Sequence, residues 1–325
     1  MTAGLKLRTE GRMPAFDGAT GWLNSEPLTP EALRGRVVLV QFWTYTCINW
    51  LRTLPYARAW AEAYRERGLV VVGVHTPEFS FERDIGNVRD AVEAMRIPYP
   101  VALDSGYAVW EAFANHYWPA LYFVDAAGHI RHHAFGEGDY DRSEQVIRRL
   151  LEEAGPIDQP PVTVAADGVE APADWDDLAT GETYLGYARG GDFASPEPTA
   201  PGSRRYTVPA RLRRNHWALS GTWSIGSETV VLDEAGGRIA FSFHARDLHL
   251  VMGPVARGGS ARFRVRLDGR PPGRAHGFDV DDEGNGVLTG QRLYQLIRQP
   301  LPVADRQFEI EFDDPGVLAT VFTFG

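Results

Sequence analysis

The sequence predicts an α/β domain in its first half and an all-β sandwich in its second half. Its length of 325 residues exceeds the usual size of one domain and favours two. Strand-like and helix-like segments alternate up to residue 155, whereas short strands separated by turns follow residue 182. Residues 156–181 are rich in proline and acids and contain no lysine or arginine, which is typical of a linker. We therefore predict domains at 1–155 and 182–325, joined by that linker.

The first domain contains alternating strands and helices. Residues 37–43, Val-Val-Leu-Val-Gln-Phe-Trp, are mostly β-branched or aromatic, as in a buried strand. Residues 51–64 have helical periodicity and stop before Gly68, with a kink expected at Pro55 because proline removes a backbone donor. The later segments are strand 69–74, helix 83–95, strand 99–103, helix 107–115, strands 118–125 and 130–135, and helix 143–153. This order predicts a three-layer sandwich around a mixed sheet.

The second domain contains only strand-like segments, and turns such as Asp268-Gly269 separate them. The segments are 217–223, 229–232, 239–245, 248–252, 261–267, 292–298, 308–312 and 317–324. Short alternating strands of this kind predict an all-β sandwich.

Composition excludes some classes of function. The formal charge is -10 and Lys6 is the only lysine, a balance that disfavours nonspecific nucleic-acid binding. No run approaches the ~20 apolar residues of a membrane span, and Met1 to Pro14 lacks the apolar core of a signal peptide. These features predict a cytoplasmic protein, or an extracytoplasmic one if an export segment has been trimmed from the sequence.

Cys47 is the only cysteine, and it follows the predicted strand 37–43 at the start of the predicted helix. A helix N-terminus carries partial positive charge and unpaired N–H groups, which stabilise a thiolate. This position makes Cys47 a candidate nucleophile. The alternative from position alone is a buried, inert cysteine, which is a common fate of that residue.

Residues 14–153 resemble the periplasmic thioredoxin-like family that includes TlpA and ResA, and most closely the C-terminal region of DipZ-type proteins. The matching segments are Pro14-Ala15-Phe16, 18–24, 33–40, 42–49, 51–56, His75-Thr76-Pro77-Glu78-Phe79, Tyr117-Trp118-Pro119-Ala120 and 135–140. The resemblance implies a thioredoxin-like fold, an exposed nucleophile at Cys47 and a cis-proline at Pro119 beside it.

The sequence departs from this family at position 50, where Trp50 replaces the second cysteine of a Cys-x-x-Cys motif. An internal disulfide is therefore excluded, because the resolving thiol is absent. One interpretation is a monothiol oxidoreductase that attacks a disulfide or oxidised thiol in a protein partner and is released by an external thiol reductant. A second is a one-cysteine peroxidase, which we rank lower because Val40 stands where peroxiredoxins have proline. A third is a redox-inactive binding or scaffold protein.

Glu137, Glu78 and His116 are candidate proton-transfer groups near the cysteine, although such residues are more often solvated or packed at the surface. No cofactor and no metal site are predicted. His132 and His133 are adjacent on a strand and so face opposite sides. The run Asp279 to Gly284 resembles the start of an EF-hand loop but has Gly290 at the twelfth position, which leaves only a looser calcium site open.

Residues 182–325 resemble the last domain of DipZ-type proteins, a jelly roll similar to carbohydrate-binding modules. The matching segments are 183–186, 215–219, 267–269, 291–296 and 322–325. The resemblance implies carbohydrate as a partner of this domain, with exposed Trp and Tyr side chains stacking on sugar rings. The alternative is that these aromatic residues form the core of the sandwich.

Overall fold

The computed structural model describes residues 7–325, and the chain divides into two compact units, Met1–Glu170 and Ala171–Gly325. Residues 1–6, which include Lys6 and the start of the predicted first domain, lie outside the described residues. Within residues 7–325, no helix has the length and apolar character needed to cross a membrane.

The first unit is built on a seven-stranded mixed sheet with the order β1-β7-β6-β3-β4-β5-β2. The strands are β1 (Gly11–Arg12), β2 (Gly21–Leu23), β3 (Val37–Trp43), β4 (Leu69–His75), β5 (Val101–Leu103), β6 (Ala120–Val124) and β7 (His129–Phe135). Strands β3, β4 and β5 are parallel, whereas β6 runs antiparallel to β3. Every residue of β3 is buried, which explains why its sequence is apolar without alternation.

Helices cover both faces of this sheet. They are α1 (Ile48–Ala63), α2 (Ile85–Ala94), α3 (Ala108–Ala112) and α4 (Tyr140–Ala154). Val40 and Phe42 join a core cluster with Val109 and Phe113, at and just after α3. The indole of Trp43, on the other face of β3, stacks on a tryptophan of α1. The predicted three-layer α/β fold is therefore confirmed.

Pro55 lies inside α1, which the structure assigns as one continuous helix over sixteen residues. The prediction began this helix at residue 51, three residues after its actual first residue, Ile48. Strands β1 and β2 were not predicted. Strand β1, which pairs with β7, has only two residues and therefore shows no period.

Residues 156–170, within the predicted linker, are hydrogen-bonded to helices of the first unit. The Gln159 side-chain amide donates to the Ala63 carbonyl, 2.9 Å away, and the Val162 N–H donates to Glu144, 2.7 Å away. Glu170 receives two hydrogen bonds from the Arg58 guanidinium, at 2.7 and 2.6 Å. This stretch therefore packs as part of the first unit up to Glu170.

The second unit is an all-β fold, as predicted. Its strands are β8 (Thr183–Tyr184), β9 (Gly202–Tyr206), β10 (Trp217–Ile225), β11 (Val230–Leu232), β12 (Arg238–Phe243), β13 (Asp247–Pro254), β14 (Ala261–Leu267), β15 (Asn285–Leu288), β16 (Arg292–Arg298), β17 (Arg306–Phe312) and β18 (Val317–Phe324). The order is β15-β14-β17-β12-β10-β11-β18-β13-β16, with β8 beside β18 and β9 beside β10.

Strand β10 belongs to both halves of this sheet. Its first four residues, 217–220, pair with β12, and residues 221–225 pair with β9 and β11. The switch occurs at Gly221, which has φ of 99° and where a Cβ atom would lie 2.9 Å from the Cα atom of Gly237. The two halves face each other across an aromatic core, in which the Phe241 and Phe322 ring centroids are 5.0 Å apart.

Candidate functional site

Cys47 occupies the N-cap position of α1, directly after the loop that leaves β3. Its backbone has φ of -75° and ψ of 113°, and its carbonyl accepts the first helical hydrogen bond from the Leu51 N–H. The side chain makes no capping hydrogen bond, and the first turn of α1 contains no acidic residue. The sulfur therefore lies at the positive end of the helix, where a thiolate is stabilised.

The exposure of the cysteine differs from that of the residues around it. In the run from Gln41 to Trp50, only Cys47 and Asn49 are partly exposed, and all other residues are buried. Trp50 has no exposed surface, and its indole stacks on Trp43 with ring centroids 4.2 Å apart and planes at 21°. Trp50 thus fills the core beneath the loop, while Cys47 keeps access to solvent.

Pro119 lies next to this sulfur. The Trp118–Pro119 peptide bond is cis, as the sequence resemblance implied, and Pro119 is buried. The Cys47 thiol donates to the Trp118 carbonyl, with 3.9 Å between Sγ and oxygen. The Trp118 indole N–H in turn donates to the Thr76 carbonyl at 3.0 Å, which ties the cis-proline segment to the loop after β4.

Glu137 is not a solvated loop residue. Its carboxylate forms an ion pair with Arg52 of α1 at 2.9 Å, and the exposed fractions of the two side chains are 8% and 2%. Burial raises the pKa of Glu137, and the charge of Arg52 and its hydrogen bond oppose that rise. The preceding Gly136 N–H donates to the Pro119 carbonyl at 2.8 Å. Glu137 therefore ties helix α1 to the cis-proline segment.

Glu78 lies in the loop after β4 and is partly buried. Its backbone N–H donates to the carboxylate of Glu82 at 2.7 Å, and the Phe79 N–H donates to the same oxygen at 3.0 Å. The other carboxylate oxygen of Glu82 accepts a 2.6 Å hydrogen bond from the hydroxyl of Thr46, the residue before Cys47. Sequence reasoning missed Glu82. The only sequence feature that pointed to Glu82 was its place as a second acid in the loop that carries Glu78, just after Phe79-Ser80-Phe81.

Burial dominates the ionisation of two groups near the loop. Glu82 has no exposed surface, and burial raises its pKa to about 7, although hydrogen bonds from Thr46 and Phe79 oppose the rise. The ring of His75, at the end of β4, contacts those of Trp43 and Tyr45, and burial lowers the pKa of His75 to about 3. His75 is therefore uncharged at physiological pH.

Other candidates lie apart from this arrangement. His116 is exposed and its ring contacts Tyr117, with centroids 6.5 Å apart. In the acidic turn of the second unit, Asp279 forms a 2.6 Å ion pair with Arg292, and Asp281 accepts a hydrogen bond from the Asn285 N–H. Among residues 7–325, no group of three or more His, Cys, Asp or Glu side chains is arranged to hold a metal ion.

Two protein families match parts of this chain. Residues 11–133 match the AhpC/TSA family, and residues 180–325 match the family described as thioredoxin like C-terminal domain. The thiol-disulfide oxidoreductase YkuV of Bacillus subtilis (strain 168) is 30% identical over 149 residues, which cover 46% of this chain and 99% of YkuV. The chain belongs to the thioredoxin-like thiol-disulfide oxidoreductase family.

A longer match extends the similarity into the second unit. Protein DipZ of Mycobacterium tuberculosis (strain CDC 1551 / Oshkosh) is 38% identical over 272 residues, which cover 82% of this chain. The matched region makes up 38% of the length of DipZ. A thioredoxin-like protein solved in its oxidised form is 33% identical, with 46% of this chain and 99% of that chain covered and a TM-score of 0.41.

Proposed function

We propose that this protein is a monothiol oxidoreductase in which Cys47 exchanges with disulfides or oxidised thiols of protein partners and an external thiol completes the cycle. The observation that carries the proposal is the contrast at the start of α1. Cys47 is partly exposed at the helix N-terminus beside a cis-proline, whereas position 50 holds a fully buried indole.

The reaction has two exchange steps. The Cys47 thiolate attacks one sulfur of the partner disulfide, so that a bond forms to Cys47 and the other partner sulfur leaves as a thiolate that takes up a proton. Because no second thiol exists in the chain, a thiolate from outside must attack the mixed disulfide. That second attack releases Cys47 as a thiolate and leaves the partner sulfur bonded to the external thiol. In this scheme Pro119 aligns the partner backbone, and Glu137 holds the cis-proline segment through Arg52.

The proposal is tested with a peptide disulfide of known mass. We expect the intact mass of the full chain to increase by one peptide per molecule, with one equivalent of peptide thiol released. The Cys47→Ser variant is expected to gain nothing. Wild-type protein that stays unmodified at pH 8 would favour the scaffold alternative, and a sulfenic acid formed rapidly with peroxide but no adduct with disulfides would favour the peroxidase.

An aromatic pair beside the cis-proline supports a polypeptide rather than a small molecule as the disulfide partner. Tyr117 and Phe135 are 53% and 44% exposed, and their ring centroids are 4.8 Å apart. Tyr117 directly precedes Trp118-Pro119, and Phe135 precedes the glycine whose N–H donates to the Pro119 carbonyl. Residues next to a cysteine bonded to Cys47 would therefore contact this pair and bury apolar surface.

Replacing both aromatic residues tests this role. We expect the Tyr117→Ala/Phe135→Ala variant to form the mixed disulfide with a protein disulfide about tenfold more slowly, a loss of about 1.4 kcal/mol. The rate with a small disulfide such as oxidised glutathione should change less than twofold, because that molecule has no apolar side chain to bury against the rings. Ile85→Ala is the matched control, since Ile85 is 48% exposed elsewhere in the same unit. Equal slowing by the control variant would contradict the assignment.

We also propose carbohydrate binding by the second unit. Two of its tryptophans, Trp217 and Trp223, are buried in the core, so ring stacking would fall to Trp175 and Tyr187, which are 60% and 50% exposed. The supporting observation is a groove of about 1000 Å³ whose lining includes polar and charged side chains that suit hydroxyl-rich ligands, among them Arg211, Arg213, Arg214, Ser242, Asp305, Gln307 and Glu309. Failure of the full chain to bind any member of a polysaccharide array would refute this proposal.

A further inference from the structure

The carboxyl group of Glu82 is enclosed within the protein directly behind the nucleophile's loop. It has no exposed surface, and its two oxygens accept three hydrogen bonds, from the Thr46 hydroxyl and from the N–H groups of Glu78 and Phe79. All three donors belong to the two loops that frame the site. This arrangement of three donors suits the ionised form of Glu82, since a carboxylate can accept hydrogen bonds at both oxygens.

These hydrogen bonds connect the loops around Cys47. Thr46 is the residue before the nucleophile, and Glu78 and Phe79 follow β4 by three and four residues. The same loop after β4 is bonded to the cis-proline segment through the Trp118 indole and the Thr76 carbonyl. Glu82 thus stands at the centre of a network that fixes the Cys47 loop relative to the cis-proline.

We infer that Glu82 is a positioning residue for Cys47, one that holds Thr46 in place and whose carboxylate charge disfavours ionisation of the neighbouring thiol. This inference rests on the proposed exchange function and adds to it a pH-dependent control of the nucleophile. Glu82 does not touch the reacting sulfurs in this role. It acts through Thr46 and through the electrostatic field at the start of α1.

Glu82 gains its negative charge as the pH rises through the neutral range, and this sets the direction in which Glu82 affects the Cys47 thiol. Burial raises the pKa of Glu82 to about 7, with a further increase from the negative charge of Glu78. Tyr45 from the β3–α1 loop and Tyr107 from the turn before α3 also interact electrostatically with Glu82, and burial raises the pKa of both phenols, so both are neutral in this pH range. Arg83, the residue after Glu82, carries a positive charge that opposes the rise in the pKa of Tyr107. Below about pH 7 the neutral Glu82 no longer opposes the thiolate.

The pH dependence of Cys47 alkylation tests the inference. In the wild-type chain, two interacting ionisations should broaden the rate profile beyond a single-proton curve. In Glu82→Gln, which keeps the size and most hydrogen-bonding capacity of the side chain, the profile should narrow to one ionisation. Its midpoint should lie about one pH unit lower, because the negative charge bonded to Thr46, the residue before Cys47, has been removed.

Two further variants separate charge from structure. Thr46→Val removes one hydrogen bond but keeps the carboxylate, so the profile should stay broad and its Glu82 step should move to higher pH. Glu144→Gln changes another buried glutamate, which accepts a hydrogen bond from Tyr64 beyond the far end of α1, roughly 25 Å from Cys47 at 1.5 Å per residue. That control should leave the profile unchanged.

The outcomes distinguish this inference from the proposed function. A Glu82→Gln profile that superimposes on the wild-type profile, in a protein that still forms the mixed disulfide, would overturn the role of Glu82 and leave the exchange function intact. Loss of mixed-disulfide formation in the wild-type chain itself would overturn the exchange function. An upward shift of the midpoint in Glu82→Gln would also overturn the inference, because loss of a negative charge cannot produce it.

Discussion

Replacing Arg52 by alanine is expected to lower the free energy of unfolding by about 3–5 kcal/mol, because it leaves Glu137 buried without its partner. The two side chains are almost fully enclosed, and the 2.9 Å contact between them is the ion pair that joins α1 to the loop after β7. The Gly136 N–H in that loop donates to the Pro119 carbonyl. We therefore expect the same variant to slow exchange at Cys47, which urea unfolding and peptide-disulfide kinetics of the full chain would measure.

The cost of the Arg52→Ala change should depend on pH. Burial raises the folded-state pKa of Glu137 above its unfolded value, and Arg52 opposes that rise. Without Arg52 the folded-state pKa rises further, so stability is lost as the pH increases from the unfolded value of ~4.3 through the folded value. The variant should therefore be least impaired in acid and most impaired at neutral pH.

Arg149→Ala is the matched control for this prediction. Arg149 pairs with Glu152 and Glu153 at 4.0 and 3.4 Å, but all three side chains are 33–48% exposed. Exposed pairs of this kind contribute roughly 0–1 kcal/mol, so the control should unfold almost as the wild type does. Equal losses in Arg52→Ala and Arg149→Ala would contradict the importance given to the buried pair.

Replacing Trp50 by cysteine is expected to have two large effects, one on the stability of the reduced protein and one on the chemistry of the oxidised protein. The reduced protein should lose about 3–5 kcal/mol of stability, because a fully buried indole that stacks on Trp43 is exchanged for a much smaller side chain. The oxidised protein should contain a disulfide between the new thiol and Cys47, since residues three apart at a helix start lie within disulfide reach, ~5–6 Å. That bond is measured by alkylation: neither cysteine should react after oxidation, and both should react again once a reductant has been added.

Trp50→Ala serves as the control for the second effect. It removes the indole without supplying a thiol, so it should show a similar loss of stability and no internal disulfide. If Trp50→Cys were as stable as the wild type when reduced, the indole would not contribute to the core as its packing indicates. If it were oxidised without forming an internal bond, the helix start would not have the geometry of a dithiol site.

Sequence reasoning found the elements whose pattern depends on burial alone. Strands β3 and β14 were predicted with their actual bounds, because a continuous apolar run and a strict alternation each specify a strand. Strands β1 and β8 have only two residues each and so no period to detect, and they were missed; each pairs with a longer strand, β7 or β18.

The candidate site was predictable only in part. Cys47 and Pro119 were found because motif and resemblance specify their positions. Glu137 was predicted as a proton-transfer group, and that role stays a prediction. Its ion pair with Arg52 was not predicted, because the two residues are 85 positions apart and no local pattern links them. Glu82 escaped notice because its partner Thr46 is 36 residues distant and the contact exists only once β3 and β4 are paired.

The lifetime of the mixed disulfide at Cys47 tests the central claim most directly. Wild-type protein is first loaded with a peptide disulfide, excess peptide is removed, and the intact mass is followed with time at neutral pH. We predict that one peptide stays bound to each chain until an external thiol is added, whereas the Trp50→Cys variant releases its peptide unaided and ends as an internal disulfide. Release of the peptide by the wild-type chain without added thiol, or failure to form the adduct at all, would contradict the account.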